Sequence, residues 1–329
     1  MKKILNYLFA HQKLTKKDAE EVLTKIARGE YSEPEIAAFI TVYLMRGVSV
    51  EELSGFRDAL LNLCIPVNLS DFDPMDLCGT GGDEKNTFNI STLSSFVVAG
   101  AGARVAKHGN YSVSSSCGSS NILEYYGYKF TNNADDLKKQ IEKCNICFLH
   151  APLFNPAMKN IAPVRKALKV KTFFNMLGPM VNPTFPKKQM VGVFSLDVAR
   201  LYNYIYQQSD KNFAIIYSLD GYDEISLTCD FKVYSNRGEF VYSPSHLGFK
   251  TFKQSDIFGG NSVEEAAKIF INILEGNGTE AQKSVVLANS AMALSCYYPE
   301  KTFDECLSMA SESLISKKAL QTFKNLISL

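Results

Sequence analysis

The chain has 329 residues, 46% hydrophobic and 21% charged, with a formal net charge of +1. That length supports a sizeable core in one large domain or two, and the composition is ordinary for a globular protein in water. A near-neutral balance excludes a global electrostatic pull toward nucleic acid or a membrane surface, so any ligand must be argued from local clusters.

The opening residues MKKILNYLFAHQK hold too short an apolar run for a signal peptide and lack a small-residue cleavage site. No stretch approaches the roughly 20 apolar residues of a spanning helix. A cytoplasmic location is therefore expected. The eight cysteines are scattered along the chain, which favours reduced thiols over a disulfide framework. Cys144 and Cys147 form a lone CxxC with no second pair or histidine pair near it. Cys147 lies in the apolar run ICFLHAP, which reads as a core strand.

Residues 1–65 read as a helical domain. Thr15 precedes KKDAEEVLTKIARG, with Asp18 in the first turn and Gly29 past the end. Ser32 and Glu35 form a capping box at EPEIAAFITVYLMRG, and Ser49 and Glu52 form another at VEELSGFRDALLNLC. Short loops between these elements predict an antiparallel cluster that serves as scaffold or subunit contact. Pro66 and NLSDFDP then mark a hinge.

From residue 72 to 329 strands alternate with helices, which predicts an α/β domain with a central, largely parallel sheet. MDLCG, ARVAKHG, ICFLHAP, MVGVFS, FAIIYSLDG, ISLT, FKVYS and EFVYSP read as strands. PAMKNIAPVRKALKV reads as a helix that Pro163 must end or kink. DECLSMASESLISKKALQTFKNLI reads as one long helix.

Two loops between strand and helix carry the chemistry. The first is Gly79-Thr80-Gly81-Gly82-Asp83, and a helix begins about Ser91, with Thr87, Asn89, Ser91 and Thr92 as further donors. Glycines let backbone amides approach a phosphate closely, and a helix N-terminus favours an anion. A purely structural turn would use the same residues. The spacing is neither a Walker loop nor a dinucleotide fingerprint. The second loop runs from Lys107 through His108, Gly109 and Asn110 to Ser120, with Ser114, Ser115 and Ser119 as hydroxyl donors. Neighbouring turns of this kind at one sheet edge suit a single diphosphorylated ligand.

A third cluster, Asp220 with Asp223 and Glu224, suits Mg²⁺, which takes a few carboxylates, waters and substrate phosphates. A solvated acidic turn is the plain alternative. Arg165 could grip a carboxylate through its planar fork, or form an ordinary surface ion pair.

The motifs GTGGD, NIST, KHGN, HAP…NPAMKNIAPVRKAL, FNMLGPMVNP and DGYDEIS, in that order, resemble the anthranilate phosphoribosyltransferases across most of the chain. The resemblance implies a helical domain of residues 1–65, an α/β domain of residues 72–329, an active site in the cleft between them, and a homodimer joined through the helices. It implies transfer of phosphoribose from phosphoribosyl pyrophosphate to the anthranilate amine in tryptophan synthesis, with Mg²⁺ as cofactor. It also implies that Gly79, Gly82, Asp83, Thr87, Asn89, Ile90, Ser91, Thr92, Lys107, Ser115 and Ser119 contact phosphoribosyl pyrophosphate. Ser91, Asp223 and Glu224 become metal ligands, and Gly79, Asn110 and Arg165 anthranilate contacts, with His108 lining the same path. From the chemistry itself, His108 is expected as a positioning residue rather than a general base. Tyr111 departs from the family's commonest pattern, where arginine follows KHGN.

Two alternatives stay open. A pyrimidine nucleoside phosphorylase would share the architecture, but its pattern has Ser-Gly-Arg where this chain has His108-Gly109-Asn110. A non-catalytic nucleic-acid-binding homologue would show a basic cleft and eroded motifs.

Overall fold

The helical segment forms where its caps demand. Thr15 accepts the Asp18 amide and starts the helix Lys16–Ala27. Glu35 accepts the amide and hydroxyl of Ser32 at the start of Glu33–Arg46. Ser49 and Glu52 exchange both bonds of a capping box at the start of Val50–Leu63. A further helix, Lys2–Phe9, has no side-chain cap and was not expected from the sequence. Its strongly one-sided apolar stripe supplies the helix signal that a cap would otherwise give.

The computed structural model describes residues 1–112 and 116–329. It groups them into two units, Met1–Val67 with Ala151–Phe185, and Asn68–His150 with Pro186–Leu329. The sequence reading assigned the whole of 72–329 to the α/β part. The segment 151–185 joins the helices because its aromatic rings complete their core. Phe173 stacks on Phe56 at 4.6 Å and meets Tyr43 edge-on at 5.1 Å. Ile65 donates its amide to the Phe154 carbonyl, and Val67 to that of Pro183. Within the segment the expected single helix is two pieces, a 3-10 turn Pro156–Asn160 and a helix Ala162–Leu168. Pro163 lies in the first turn of the second piece, where its missing N–H leaves no bond unmade.

One carboxylate ties the helical unit together. Glu52 is fully buried, accepts the Leu14 amide at 3.0 Å and pairs with Arg46 at 2.6 Å. It thereby joins three helix ends. Burial pushes its carboxyl pKa up, but the Arg46 guanidinium and the amides of Ser49 and Leu14 outweigh burial and leave it below the usual carboxylate value.

The second unit is built on a seven-stranded sheet. Its strands are β1 (Met75–Gly79), β2 (Val105–Gly109), β3 (Ile146–His150), β4 (Lys188–Gly192), β5 (Asn212–Ser218), β6 (Phe231–Ser235) and β7 (Gly238–Tyr242). Their order is β3-β2-β1-β4-β5-β6-β7, parallel from β3 through β5 and antiparallel from β5 to β7. The helix Ile90–Gly100 is buried on most faces, as its apolar and small residues require, and packs with Glu280–Tyr297 in the main core.

Two expectations fail here. ISLT is not a strand. The Ser226 hydroxyl bonds back to Ser218 at the end of β5 and that of Thr228 to Asp220 in the loop after it, and Leu227 takes a left-handed φ of 56°. These local bonds compete with a ladder and win. The long C-terminal helix breaks into Phe303–Ile315 and Lys318–Ile327, with Lys317 left-handed at the joint. The joint rests on Gly100, where a Cβ would collide with Ser313 Oγ and the Ala319 amide. Among the described residues no helix is long and apolar enough to cross a membrane.

Replacing Glu52 by Gln leaves Arg46 without its counter-charge and should cost about 3 kcal/mol at pH 7, read by urea unfolding. Because the folded-state value of Glu52 is depressed, its contribution is complete above the unfolded value of about 4.3 and is lost as pH falls through the folded value. Wild type and variant should therefore converge in acid. Equal stability at pH 7 would contradict this role.

Candidate active site

The loops after β1, β2 and β5 leave the same edge of the parallel strands, the edge at which α/β sheets bind ligands. After β5 the turn at Tyr222-Asp223-Glu224 folds back over β1 and β4. The Asp223 carboxylate accepts the Gly81 amide at 2.7 Å. This approach is possible because two glycines lie beneath it. A Cβ at Gly79 would run into the Asp223 carboxylate, and one at Gly192 into its backbone carbonyl. Gly81 and Gly82 both take left-handed φ, 62° and 74°, so the loop turns there without a Cβ penalty.

The far side of the acidic turn is also held. Asn289, on the helix Glu280–Tyr297, accepts the Ile225 amide at 3.0 Å and donates to the Ile225 carbonyl at 2.9 Å. Ser218 donates to the Glu224 carbonyl at 2.6 Å. Sequence reasoning missed Gly192, Ser218 and Asn289. Each is a single residue inside a regular element, with no motif around it.

The result is a crowded set of acids. Asp83 accepts the Lys85 amide at 3.0 Å. Burial pushes the Asp83 pKa up, against that bond and the opposing influence of neighbouring Asp223. Burial raises Asp223 well above the usual carboxylate value, and the charges of Asp83 and Glu224 add to it. Burial pushes Glu224 up to about 7, although Lys107 and the Ser91 amide pull the other way. Glu224 accepts that amide at 3.2 Å, so it caps the start of Ile90–Gly100. The acids thus lie together at a helix N-terminus with their protonated forms favoured, an arrangement that a hard cation would relieve. Among the described residues no three His, Cys, Asp or Glu side chains form a preformed metal cage.

Lys107 is buried beneath this helix start. Its ammonium donates to the Leu77 carbonyl at 2.6 Å and reaches Ser91 Oγ at 3.5 Å, and burial lowers its pKa. Ile90 and Thr92 bury their side chains, so their backbone is what they offer a ligand. Asn89 donates to the Cys117 carbonyl at 3.0 Å, while its Oδ1 is buried with no hydrogen-bond partner among the described residues. Thr87 pairs in a β-bridge with Phe258, and the Gly259 amide bonds to the Asn86 carbonyl at 2.7 Å.

On the second loop, the amide of buried His108 donates to the buried Asp76 at 3.1 Å. The Asn110 carbonyl accepts both Ser119 Oγ and the Ser120 amide at 3.2 Å, and its own Oδ1 accepts the Tyr111 amide at 2.8 Å. Ser115, expected as a ligand, lies outside the described residues, as does Ser114. Arg165 belongs to the helical unit, on Ala162–Leu168. Its guanidinium lies over the Phe174 ring at 5.5 Å, and burial alone lowers its pKa. Among the described residues no ion pair is seen at Arg165.

The chain matches the model of the glycosyl transferase family helical bundle domain over residues 2–64 and that of the α/β domain over residues 72–320. It is 57% identical over 329 residues to an anthranilate phosphoribosyltransferase of Christiangramia forsetii, covering 99% of this chain and 98% of that one. The crystal structure of the anthranilate phosphoribosyltransferase of Thermus thermophilus superposes with a TM-score of 0.92 at 28% identity, covering 98% of each chain. That of Saccharomyces cerevisiae, in complex with phosphoribosyl pyrophosphate and Mg, gives 0.90 at 24% identity over 98% of this chain and 96% of that one, a likeness of fold.

Gly192→Ala should expel the acidic turn, since the obstacle is backbone and cannot rotate away. We expect a loss of about 2 kcal/mol in urea unfolding. A variant as stable as wild type would show that the turn does not depend on this approach.

Proposed function

The chain belongs to the anthranilate phosphoribosyltransferase family, and we propose that its acidic turn, glycine loop and helix start together hold phosphoribosyl pyrophosphate for transfer to anthranilate. The observation that carries this reading is the meeting of Gly79–Asp83, Ser91 and Asp223-Glu224 at one sheet edge. The amine nitrogen forms a bond to ribose C1 as the C1–O bond breaks, and the electron pair leaves with pyrophosphate. The surplus amine proton goes to solvent or to the departing pyrophosphate.

Each residue then has a physical task. Gly79, Gly82, Asp83 and Thr87 shape the loop around the pyrophosphate and ribose, with Asn89, Ile90 and Thr92 beside it. The dipole of Ile90–Gly100 favours the phosphate charge, and the Ser91 amide, now bonded to Glu224, is a donor a phosphate oxygen would take over. Lys107 adds positive potential from beneath Ser91, and Ser119 offers a hydroxyl from the second loop, as the resemblance also implies for Ser115. Ser91, Asp223 and Glu224 fit Mg²⁺, because crowded carboxylates and a hydroxyl are hard oxygen donors and Mg²⁺ fills its remaining positions with water and phosphate. When bound, Mg²⁺ neutralises charge that develops on the pyrophosphate.

For the acceptor, the resemblance assigns Gly79, Asn110 and Arg165 to anthranilate, and the planar fork of Arg165 suits its carboxylate. The Asn110 side-chain oxygen is already bonded to Tyr111 N–H, which leaves its amide as the outward donor. The aromatic amine is a nucleophile as it stands, so holding it in line supplies much of the catalysis. His108 acts by position, its backbone fixed to Asp76.

We further infer a cytoplasmic enzyme, its eight cysteines free, that pairs as a homodimer through the helical unit. Tyr7 and Phe9 on one helix and Leu44 and Met45 on another leave large apolar side chains in water, with Met45 84% exposed. The phosphorylase-like and nucleic-acid-binding alternatives draw no support from the relatives.

A fluorescence assay should show loss of anthranilate only when phosphoribosyl pyrophosphate and Mg²⁺ are both present; no loss under any condition would sink the reading. Arg165→Ala should raise the anthranilate KM by about tenfold or more with the phosphoribosyl pyrophosphate KM nearly unchanged. The reverse pattern would remove Arg165 from the acceptor. Light scattering should find a dimer in the wild type and a shift to monomer in Met45→Glu, and an unchanged mass would refute that interface.

A further inference from the structure

The loop that carries Asn110 is anchored by residues that no motif assigns. Tyr111 follows it, exposed to 39%, yet its ring is not loose. It meets the His150 ring edge-on at 4.9 Å and 75°, and its hydroxyl donates to Glu124 at 3.2 Å. His150 ends β3 and is buried. Its other face stacks on Phe130 at 4.4 Å and 19°, and its Nδ1 lies 2.9 Å from Ser120 Oγ. Ser120 is therefore shared. Its amide holds the Asn110 carbonyl while its hydroxyl holds His150. Burial lowers the His150 pKa against the pull of Glu124 and with the help of His108, so the ring stacks as a neutral aromatic at pH 7.

We propose that Tyr111, braced on His150 and Glu124, is a positioning residue that sets the orientation of Asn110 toward the aromatic amine acceptor. The proposal rests on the reading of Asn110 as an acceptor contact. Where the family's commonest pattern has an arginine, this chain uses an aromatic ring that packs on a second ring. The two-χ Tyr side chain is held at both ends, so little motion reaches its neighbour, and the bond from Tyr111 N–H to Asn110 Oδ1 transmits that order directly.

Steady-state kinetics of the full chain test this, with each substrate varied in turn. Tyr111→Ala should raise the anthranilate KM by about tenfold while the phosphoribosyl pyrophosphate KM stays within about twofold. Tyr111→Phe, which keeps the ring on His150, should recover most of the loss. The exposure of Tyr111 makes both variants safe for folding, and equal melting temperatures would document it. An unchanged anthranilate KM in Tyr111→Ala, an equal rise in both KM values, or no recovery in Tyr111→Phe overturns the proposal while leaving the transferase reading in place. A wild-type chain that does not consume anthranilate overturns both.

Discussion

Three carboxyl groups crowd together at the end of the parallel sheet, Asp223 buried and Asp83 and Glu224 half-buried, and the site is arranged around that expense. Asp83, Asp223 and Glu224 each have their charged forms disfavoured by burial, and they repel one another besides. A fold tolerates such crowding when surrounding donors and backbone geometry over-determine it. Here the amides of Gly81, Ser91 and Lys85 supply the donors. Gly79 and Gly192 supply the space, and Asn289 supplies a clamp from a helix far along the chain. The protein thus spends stability to keep these acids together at a helix N-terminus.

The sheet explains why these parts meet. β1, β4 and β5 are parallel neighbours, so the glycine loop and the acidic turn emerge at one edge although they are far apart in the chain. β2 lies beside β1 on its other side and delivers Lys107 from below and Asn110 from the loop beyond. The ammonium is not displayed to solvent. It acts on the site through Ser91 and through the field it adds to a helix end, and its low exposure keeps that field poorly screened.

Much of this was legible in the sequence because it is written in local chemistry. Capping boxes at Ser32 and Ser49 announce helices, the paired glycines announce a loop, and adjacent acids after an apolar strand announce a turn. What escaped depends on distant partners. The turn over Gly100 that divides the last helix is set by packing, not by any proline or glycine at Lys317. The segment around Phe173 follows its aromatic partners rather than its place in the chain. Gly192 and Asn289 are ordinary residues of a strand and a helix until the acidic turn is laid against them. ISLT has a strand's composition, and its hydroxyls found nearer partners first.

The central claim is that the acidic turn becomes a pyrophosphate site when a divalent cation joins it. Calorimetric titration of inorganic pyrophosphate into the full chain, with and without Mg²⁺, addresses it most directly when repeated on the Asp223→Asn, Glu224→Gln double variant. The account predicts Mg²⁺-dependent binding in the wild type and its loss by about a hundredfold or more in the variant. Pyrophosphate affinity that is the same in both proteins, or that ignores Mg²⁺, would contradict it.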